Sequence, residues 1–309
     1  MHSAIHSILK TLAYYNVFNY PLTKEEIISL LDASYQENEV NEAFQLLEEK
    51  KLIFRLDRFY SLYNNPFLVQ RRIKGNEKAS KQLLIAVRVA KLLSRFPYVK
   101  GVAVSGSLSK NFADERSDID FFIITTKDRL WIARTFMHLF KKITFIAGKQ
   151  HWFCMNYFID ETALEIREKN IFTATEVITA LPLRGDSVFR DFSDANKWTR
   201  KFFPHRTTET RNSKKIRKGL LKPLIEKIFN NKAGDGLDNW LKKVTTRRWQ
   251  KKTEHKKRNR QGVLMGMDAG KHYSKPDPKH LQAKVVLRFD LKMEQLLQEL
   301  ESFPSVRAV

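Results

Sequence analysis

Residues 102–126 read VAVSGSLSKNFADERSDIDFFIITT. Val102–Val104 and Phe121–Ile124 are short runs of β-branched and aromatic residues, which predicts two buried strands. The polar connection between them contains Gly106-Ser107 and closes on Ser117-Asp118-Ile119-Asp120. At the end of the first strand, Gly106 permits a turn and close backbone approach to a phosphate, and Ser107 adds a hydroxyl donor. Asp118 and Asp120 stand two apart at the start of the second strand. Period-2 geometry puts both carboxylates on one face and turns Ile119 into the core. Two hard oxygen ligands beside a phosphate-sized loop suit Mg²⁺ carrying a nucleoside triphosphate.

Gly106-Ser107, ten intervening residues and Asp118-Ile119-Asp120 followed by apolar Phe121 resemble the signature of the polymerase-β-type nucleotidyltransferase superfamily. The resemblance runs from roughly Leu83 to Leu183, about a third of the chain. It implies an α+β fold, a nucleotidyltransferase mixed sheet flanked by helices. It also implies Mg²⁺-dependent transfer of a nucleoside monophosphate from ATP or another NTP to an acceptor hydroxyl, with release of pyrophosphate. In that scheme Asp118 and Asp120 are catalytic and hold the metal, and Gly106 and Ser107 grip the β- and γ-phosphates. Lys110 offsets developing charge, and Ser117 belongs to the same nucleotide-binding loop. The acceptor stays open among a small molecule, an RNA end, a protein hydroxyl and a sugar phosphate.

The family usually presents a third Asp or Glu on a later strand, facing the first two. The matching apolar run here is Trp152 to Asp160, and its central polar residue is Asn156. An amide oxygen can coordinate Mg²⁺ but brings no charge and is no general base. Three accounts fit: Asn156 as a weakened third ligand; Asp160 or Glu165 supplying the acid from the strand end; or nucleotide binding without turnover. By strand parity Asn156 and Asp160 share a face. A catalytically silent nucleotide-binding regulator and a nucleic-acid-binding protein on a degenerate transferase fold are the alternatives to an enzyme.

The 309 residues leave room for two or three domains, and 42% apolar content suffices for real cores. Lys and Arg outnumber Asp and Glu by 56 to 34, a net charge of +22 that suits phosphate-rich partners. The single cysteine, Cys154, lies in an apolar run and reads as a small buried hydrophobe. No disulfide framework and no Cys/His metal spacing occur. No apolar stretch approaches the ~20 residues of a membrane span, and the start lacks a signal-peptide profile, so a cytoplasmic protein is expected.

Three domains are predicted. Residues 1–66 read as a winged-helix-like unit. One helix carries Ile5, Ile8, Leu9 and Leu12; Thr23 and Glu26 form a capping box for a second; a third begins near Asn38. A hairpin turning at Asp57-Arg58 follows. The third helix is rich in Glu, which phosphates repel, so protein contact or substrate presentation suits this unit better than reading DNA. Residues 67–185 form the nucleotidyltransferase core. They begin with a long helix whose start is crowded by Arg71, Arg72 and Lys74, and later offer Arg129 and Arg134 as phosphate contacts and Asp128 as a helix cap. Asn170 to Leu183 reads as a helix ending before Pro182.

Residues 186–309 read as a basic helical C-terminal region. Between Arg211 and Arg260, 18 Lys/Arg stand against 4 Asp/Glu, so this stretch supplies +14 of the +22. Two amphipathic helices are predicted there, split at Gly234-Asp235-Gly236. The second runs into RRWQKKTEHKKRNR. The expectations are a solvated arm, a surface for an RNA or DNA backbone, or a contact for acidic lipid or sugar phosphate. Gly262 to Lys279 has a loop signature, Gly270-Lys271 reads as a turn, and Ala283 to Leu300 reads as a final helix.

Overall fold

The computed structural model describes residues 2–115, 117–146, 152–210, 213–216, 219, 221–258, 266–276 and 281–303. The chain opens with α1 (His2–Asn16), β1 (Leu22–Thr23), α2 (Lys24–Ser29), α3 (Glu37–Glu49), β2 (Phe54–Leu56) and β3 (Phe59–Ser61). The stripe Ile5, Ile8, Leu9 and Leu12 is buried. Thr23 accepts the Glu26 N–H while Glu26 Oε2 accepts the Thr23 N–H, so the capping box fixes the start of α2. The expected helices and hairpin are present. The short strand β1 was not foreseen; it pairs with β3, giving the order β1-β3-β2.

Next comes α4 (Pro66–Leu93), with Asn65 as N-cap and Pro66 in its first turn. Arg72, one of the basic residues crowding the start of this helix, is 4% exposed. Its guanidinium pairs with Glu26 Oε1 at 2.7 Å, donates to the Pro21 carbonyl and stands 3.9 Å from the Tyr20 ring centroid. A charge buried in this way needs such partners, and here they fasten α4 to the N-terminal unit. Arg71 donates to the carbonyls of Phe18 and Asn19.

The remaining elements are β4 (Val99–Val104), α5 (Gly106–Ser109), β5 (Asp120–Thr125), α6 (Leu130–Ile146), β6 (Cys154–Asp160), α7 (Ile171–Thr179), β7 (Leu181–Arg184), α8 (Asp186–Ala195), a 3-10 turn (Lys197–Lys201), α9 (Leu221–Phe229), α10 (Lys232–Glu254), β8 (Met267–Ala269), β9 (Tyr273–Pro276) and α11 (Leu281–Glu301). Six strands form one mixed sheet in the order β7-β4-β5-β6-β9-β8. β5 and β6 run parallel, joined through α6, and the other neighbours are antiparallel. Val102, Val104, Phe121, Ile123, Met155 and Phe158 bury one face against α4 and α6. Ala103, Phe122, Ile124 and Ile159 bury the other against α7 and α8. This is the mixed α+β architecture expected of a nucleotidyltransferase.

Four local expectations need correction. The helix read over Asn170 to Leu183 does stop before Pro182, at Thr179, but the last residues of the segment form β7, an edge strand, where the missing N–H of Pro182 costs no ladder bond. The break between α9 and α10 falls at Asn230-Asn231, not at Gly234-Asp235-Gly236. Asn231 caps α10 by accepting the Gly234 N–H, and a Cβ on Gly234 would lie 1.8 Å from the Phe229 carbonyl oxygen. Residues 186–309 are not purely helical, because β8 and β9 extend the sheet past β6. Nor do they stand apart: Val285, Phe289, Met293, Leu296 and Leu300 of α11 share a core with α1, α3 and α7.

The fourth correction concerns parity. In the β5–β6 register Asp120 faces Cys154 and Phe121 faces Met155, but Phe122 faces Tyr157. Asn156 is the extra residue of a β-bulge, and the alternation of faces is shifted beyond it. Asn156 and Asp160 therefore do not share a face. Of the basic stretch 211–260, residues 211, 212, 217, 218, 220, 259 and 260 lie outside the described residues. Among the described residues no helix is long and apolar enough to cross a membrane.

Candidate active site

Gly106, Asp120 and Asn156 come together at one end of the sheet. Gly106 has φ +69, and a Cβ there would lie 2.8 Å from Asp120 Oδ2. Only glycine meets both conditions without strain. The Ser105 N–H donates to the Asp120 carbonyl at 2.9 Å, which ties the loop to β5. Across the parallel pair, Asn156 Nδ2 donates to Asp120 Oδ1. Asn156 Oδ1 in turn accepts from the Cys154 thiol at 3.1 Å. Cys154 is only half-buried. Burial, with the Asp120 charge beside it, pushes its thiol up to about 12, so it serves as a donor and not as a nucleophile.

Burial raises the Asp120 carboxyl to about 7, and the neighbouring Asp118 carboxylate adds to the effect. Paired acids in this state favour a cation between them. Hard carboxylate oxygens from Asp118 and Asp120, with the Asn156 amide alongside, form a donor set that fits Mg²⁺.

Lys110 Nζ lies 2.6 Å from Glu176 Oε1 and 3.0 Å from the Gly106 carbonyl oxygen. Glu176 Oε2 accepts the Gly106 N–H at 3.4 Å. Glu176, on α7, thus joins the glycine and the lysine of the loop. The sequence reading missed it, although a lone carboxylate among Ile171, Ala174, Val177 and Ile178 was a usable signal. Ser117 shapes the loop: its hydroxyl donates to Asp114 Oδ1 at 2.8 Å and accepts the Asp114 N–H at 2.9 Å.

Asp160 belongs elsewhere. It pairs in register with Thr125, at the opposite end of β6 from Cys154 and Asp120. Six residues of strand put it about 20 Å away. Its side chain is fully buried and its oxygens are occupied. Oδ1 accepts from the Thr162 N–H and hydroxyl; Oδ2 accepts the Asp128 N–H and lies 2.7 Å from His272 Nδ1. It cannot be the third ligand. Asp128, Asp160 and His272 do bring ligand atoms within 4.8 Å of one another. The cation there is Lys271, whose Nζ lies 2.7 Å from Asp128 Oδ1. This cluster clamps the β8–β9 turn to the end of β6.

The expected cap and phosphate contacts of α6 also have other roles. Asp238 of α10, not Asp128, accepts the Ile132 N–H of the first turn. Arg129 pairs with Asp235 at 2.5 Å, fastening α6 to α10. Arg134 lies against Trp131, Phe158 and Met267.

A cavity of about 950 Å³ opens over Asp120, Asn156 and the Gly106-Ser107-Lys110 loop. Tyr15, Phe18 and Tyr20 of the N-terminal unit and the first turns of α11 wall one side. Tyr157, Glu168, Asp268 and Lys275 wall another. Its size is at the upper end for small-molecule sites. Asp268 and Lys275 went unnoticed in the sequence because β8 and β9 were read as a loop.

Residues 88–179 match the family model described as a nucleotidyltransferase domain. No curated protein and no solved structure matches the chain. The matched span holds the Gly106 loop, Asp118, Asp120, Asn156 and Glu176, and general nucleotidyl transfer is the chemistry it supports. The centre of this chain is a domain of the nucleotidyltransferase superfamily.

Proposed function

We propose that the protein transfers a nucleoside monophosphate from an NTP to an acceptor hydroxyl. The acceptor oxygen bonds to the α-phosphorus while the bond from that phosphorus to the β-phosphate bridging oxygen breaks. Pyrophosphate leaves with that electron pair, and the hydroxyl proton is released to water. Asp118 and Asp120 would hold Mg²⁺, with the Asn156 amide orienting Asp120. The chemistry supplied by the bound cation is charge stabilisation at the phosphoryl oxygens. Gly106 and Ser107 receive the β- and γ-phosphates, Glu176 positions Gly106 and Lys110, and Lys110 offsets the leaving charge.

The observation that carries this reading is the close approach of Gly106 to Asp120, which leaves a carboxylate pair beside a phosphate-sized loop. Calorimetry tests it: the wild type should bind Mg·ATP and the Asp118→Ala/Asp120→Ala variant should not. Equal affinity in both would refute it.

A second reading concerns α10. Among the described residues, none of Lys243, Arg247, Lys251 and Lys256 forms an ion pair with a carboxylate, and all are exposed. None of them lines the cavity. This supports a separate surface for a nucleic-acid backbone, away from the catalytic centre.

A further inference from the structure

The inference rests on the transferase reading and concerns its acceptor. In-line displacement puts the attacking oxygen opposite the leaving pyrophosphate. With the pyrophosphate on the Gly106-Ser107 loop, the acceptor arrives from the far side of Asp120.

The sheet order says what lies there. Gly106 follows β4, Asp120 begins β5, Asn156 and Tyr157 are on β6, Lys275 is on β9 and Asp268 is on β8. Lys275 pairs with Asp268 in register, and the β6–β9 register brings Lys275 next to Tyr157. These residues form one row across the same end of the sheet. At the strand spacing of about 4.8 Å the row continues some 14 Å beyond Asp120.

The chemistry of the row is specific. Lys275 Nζ pairs with Glu168 Oε1 and lies 3.4 Å from Asp268 Oδ2. The Tyr273 hydroxyl donates to Asp268 Oδ1 at 3.0 Å. Two carboxylates thus face one ammonium, and the Arg167 guanidinium, 4.8 Å from the Tyr273 ring centroid, brings the local charge to balance in a protein of net charge +22. Tyr157 packs on Phe122, with ring centroids 5.3 Å apart. Among the described residues its hydroxyl has no hydrogen-bond partner, although it borders the cavity. Burial holds the Tyr157 phenol well above its usual range; Glu168 and Asp268 add to the rise and Arg167 opposes it, which agrees with their closeness.

A phosphorylated acceptor or a nucleic-acid end finds no excess of positive charge here to offset its own. A neutral polyol needs none. Its hydroxyl hydrogens can be donated to Glu168 and Asp268, its oxygens can accept from Lys275 and Tyr157, and its C–H face can lie on an aromatic ring. We propose that Tyr157, Glu168, Asp268 and Lys275 form the acceptor subsite, and that the acceptor is a small, neutral, polyhydroxylated molecule.

The probes are glucose, N-acetylglucosamine and myo-inositol, observed by saturation-transfer NMR on the full chain and offered as acceptors in pyrophosphate-release assays. At least one should receive saturation from the wild type. Glu168→Gln/Asp268→Asn should abolish that transfer, and Tyr157→Phe should weaken it. The acceptor KM should rise about tenfold for each hydrogen bond lost. Mg·ATP affinity should stay within about twofold. No saturation for any of the three polyols in the wild type overturns the proposal. So does an equal loss of Mg·ATP affinity in Glu168→Gln/Asp268→Asn, which would make the row a nucleoside pocket. Failure of the transferase reading beneath it appears separately, as Mg·ATP binding that survives Asp120→Ala.

Discussion

Asn156 Nδ2 donates a hydrogen bond to Asp120 Oδ1 from the bulge of a parallel strand pair. The contact stands where a third carboxylate would face the first two. An amide there orients Asp120 and spares it a further negative charge beside those of Asp118 and Glu176. The site therefore folds without a metal at less electrostatic cost, and on the proposed reading would hold one less tightly.

Asn156→Asp should reverse that balance. Without metal the variant should melt lower, because a donor to Asp120 becomes a like charge, a change of about 1–3 kcal/mol. With Mg²⁺ the melting temperature should recover more than in the wild type, and pyrophosphate release should rise. Thermal melts with and without Mg²⁺ and a release assay measure both. Release that falls while Mg²⁺ binding strengthens would show that the amide is the working residue. A site silent in both proteins, with NTP binding intact, would favour the regulator.

Gly106→Ala should separate folding from binding. The φ of +69 costs an alanine about 1–2 kcal/mol, and its Cβ would press on Asp120 Oδ2. The global fold tolerates that, but the carboxylate has to move. Calorimetry should show Mg·ATP affinity reduced tenfold or more, with a fall in melting temperature of only a few degrees. Unchanged affinity would remove Gly106 from the phosphate loop.

The strand–loop–strand centre was legible because Val102–Val104 and Phe121–Ile124 bracket a turn glycine and a spaced acid pair, all within one local stretch. The helices of the N-terminal unit were legible for the same reason. What escaped was set by partners distant in sequence. The bulge at Asn156 exists only against β5, so parity counted along β6 alone misplaced Asp160. Pro182 ends a helix by local rules, yet an edge position lets it sit in β7. Tyr273 to Pro276 and Met267 to Ala269 are too short to announce strands, and they become strands because β6 offers them an edge. Glu168, Asp268 and Lys275 could not be joined until those strands were.

Leu296→Ala should weaken the N-terminal unit although the two are far apart in sequence. Leu296 is 2% exposed in the core that α11 shares with α1 and α3. A cavity of one leucine costs about 2–5 kcal/mol. Urea denaturation followed by the fluorescence of Trp198, which packs at the edge of this core, should shift to lower midpoint by that amount. A shift under about 0.5 kcal/mol would show that α11 only rests on the surface.

The α10 surface makes a salt-dependent prediction. If Arg247, Lys251 and Lys256 follow a phosphate backbone, affinity for a single-stranded RNA must fall linearly on a log–log plot. Each neutralised phosphate contributes a slope of roughly −0.7. Replacing all three with glutamine should remove about two units of slope while leaving Mg·ATP binding in place. A flat salt dependence, or no binding at low salt, would leave a solvated arm.

Asp238 predicts how stability varies with pH. It is 4% exposed and accepts the Ile132 N–H at 2.9 Å, capping α6 from α10. Burial raises its carboxyl to about 6, and the backbone N–H groups of Ile132 and Trp131 and the Arg129 charge only partly oppose the rise. In the unfolded chain an aspartate titrates near 3.9. The folded protein thus holds this proton more tightly than the unfolded chain does. The resulting stabilisation is complete below about pH 4 and is lost as pH climbs through about 6, a difference of about 3 kcal/mol. Asp238→Asn keeps an oxygen to accept the Ile132 N–H but cannot ionise. Between pH 4 and 7 the wild type should lose about 3 kcal/mol relative to this variant, read from urea unfolding at several pH values. Parallel pH profiles for the two proteins would mean that Asp238 stays ionised in the fold, with the cap alone outweighing its burial.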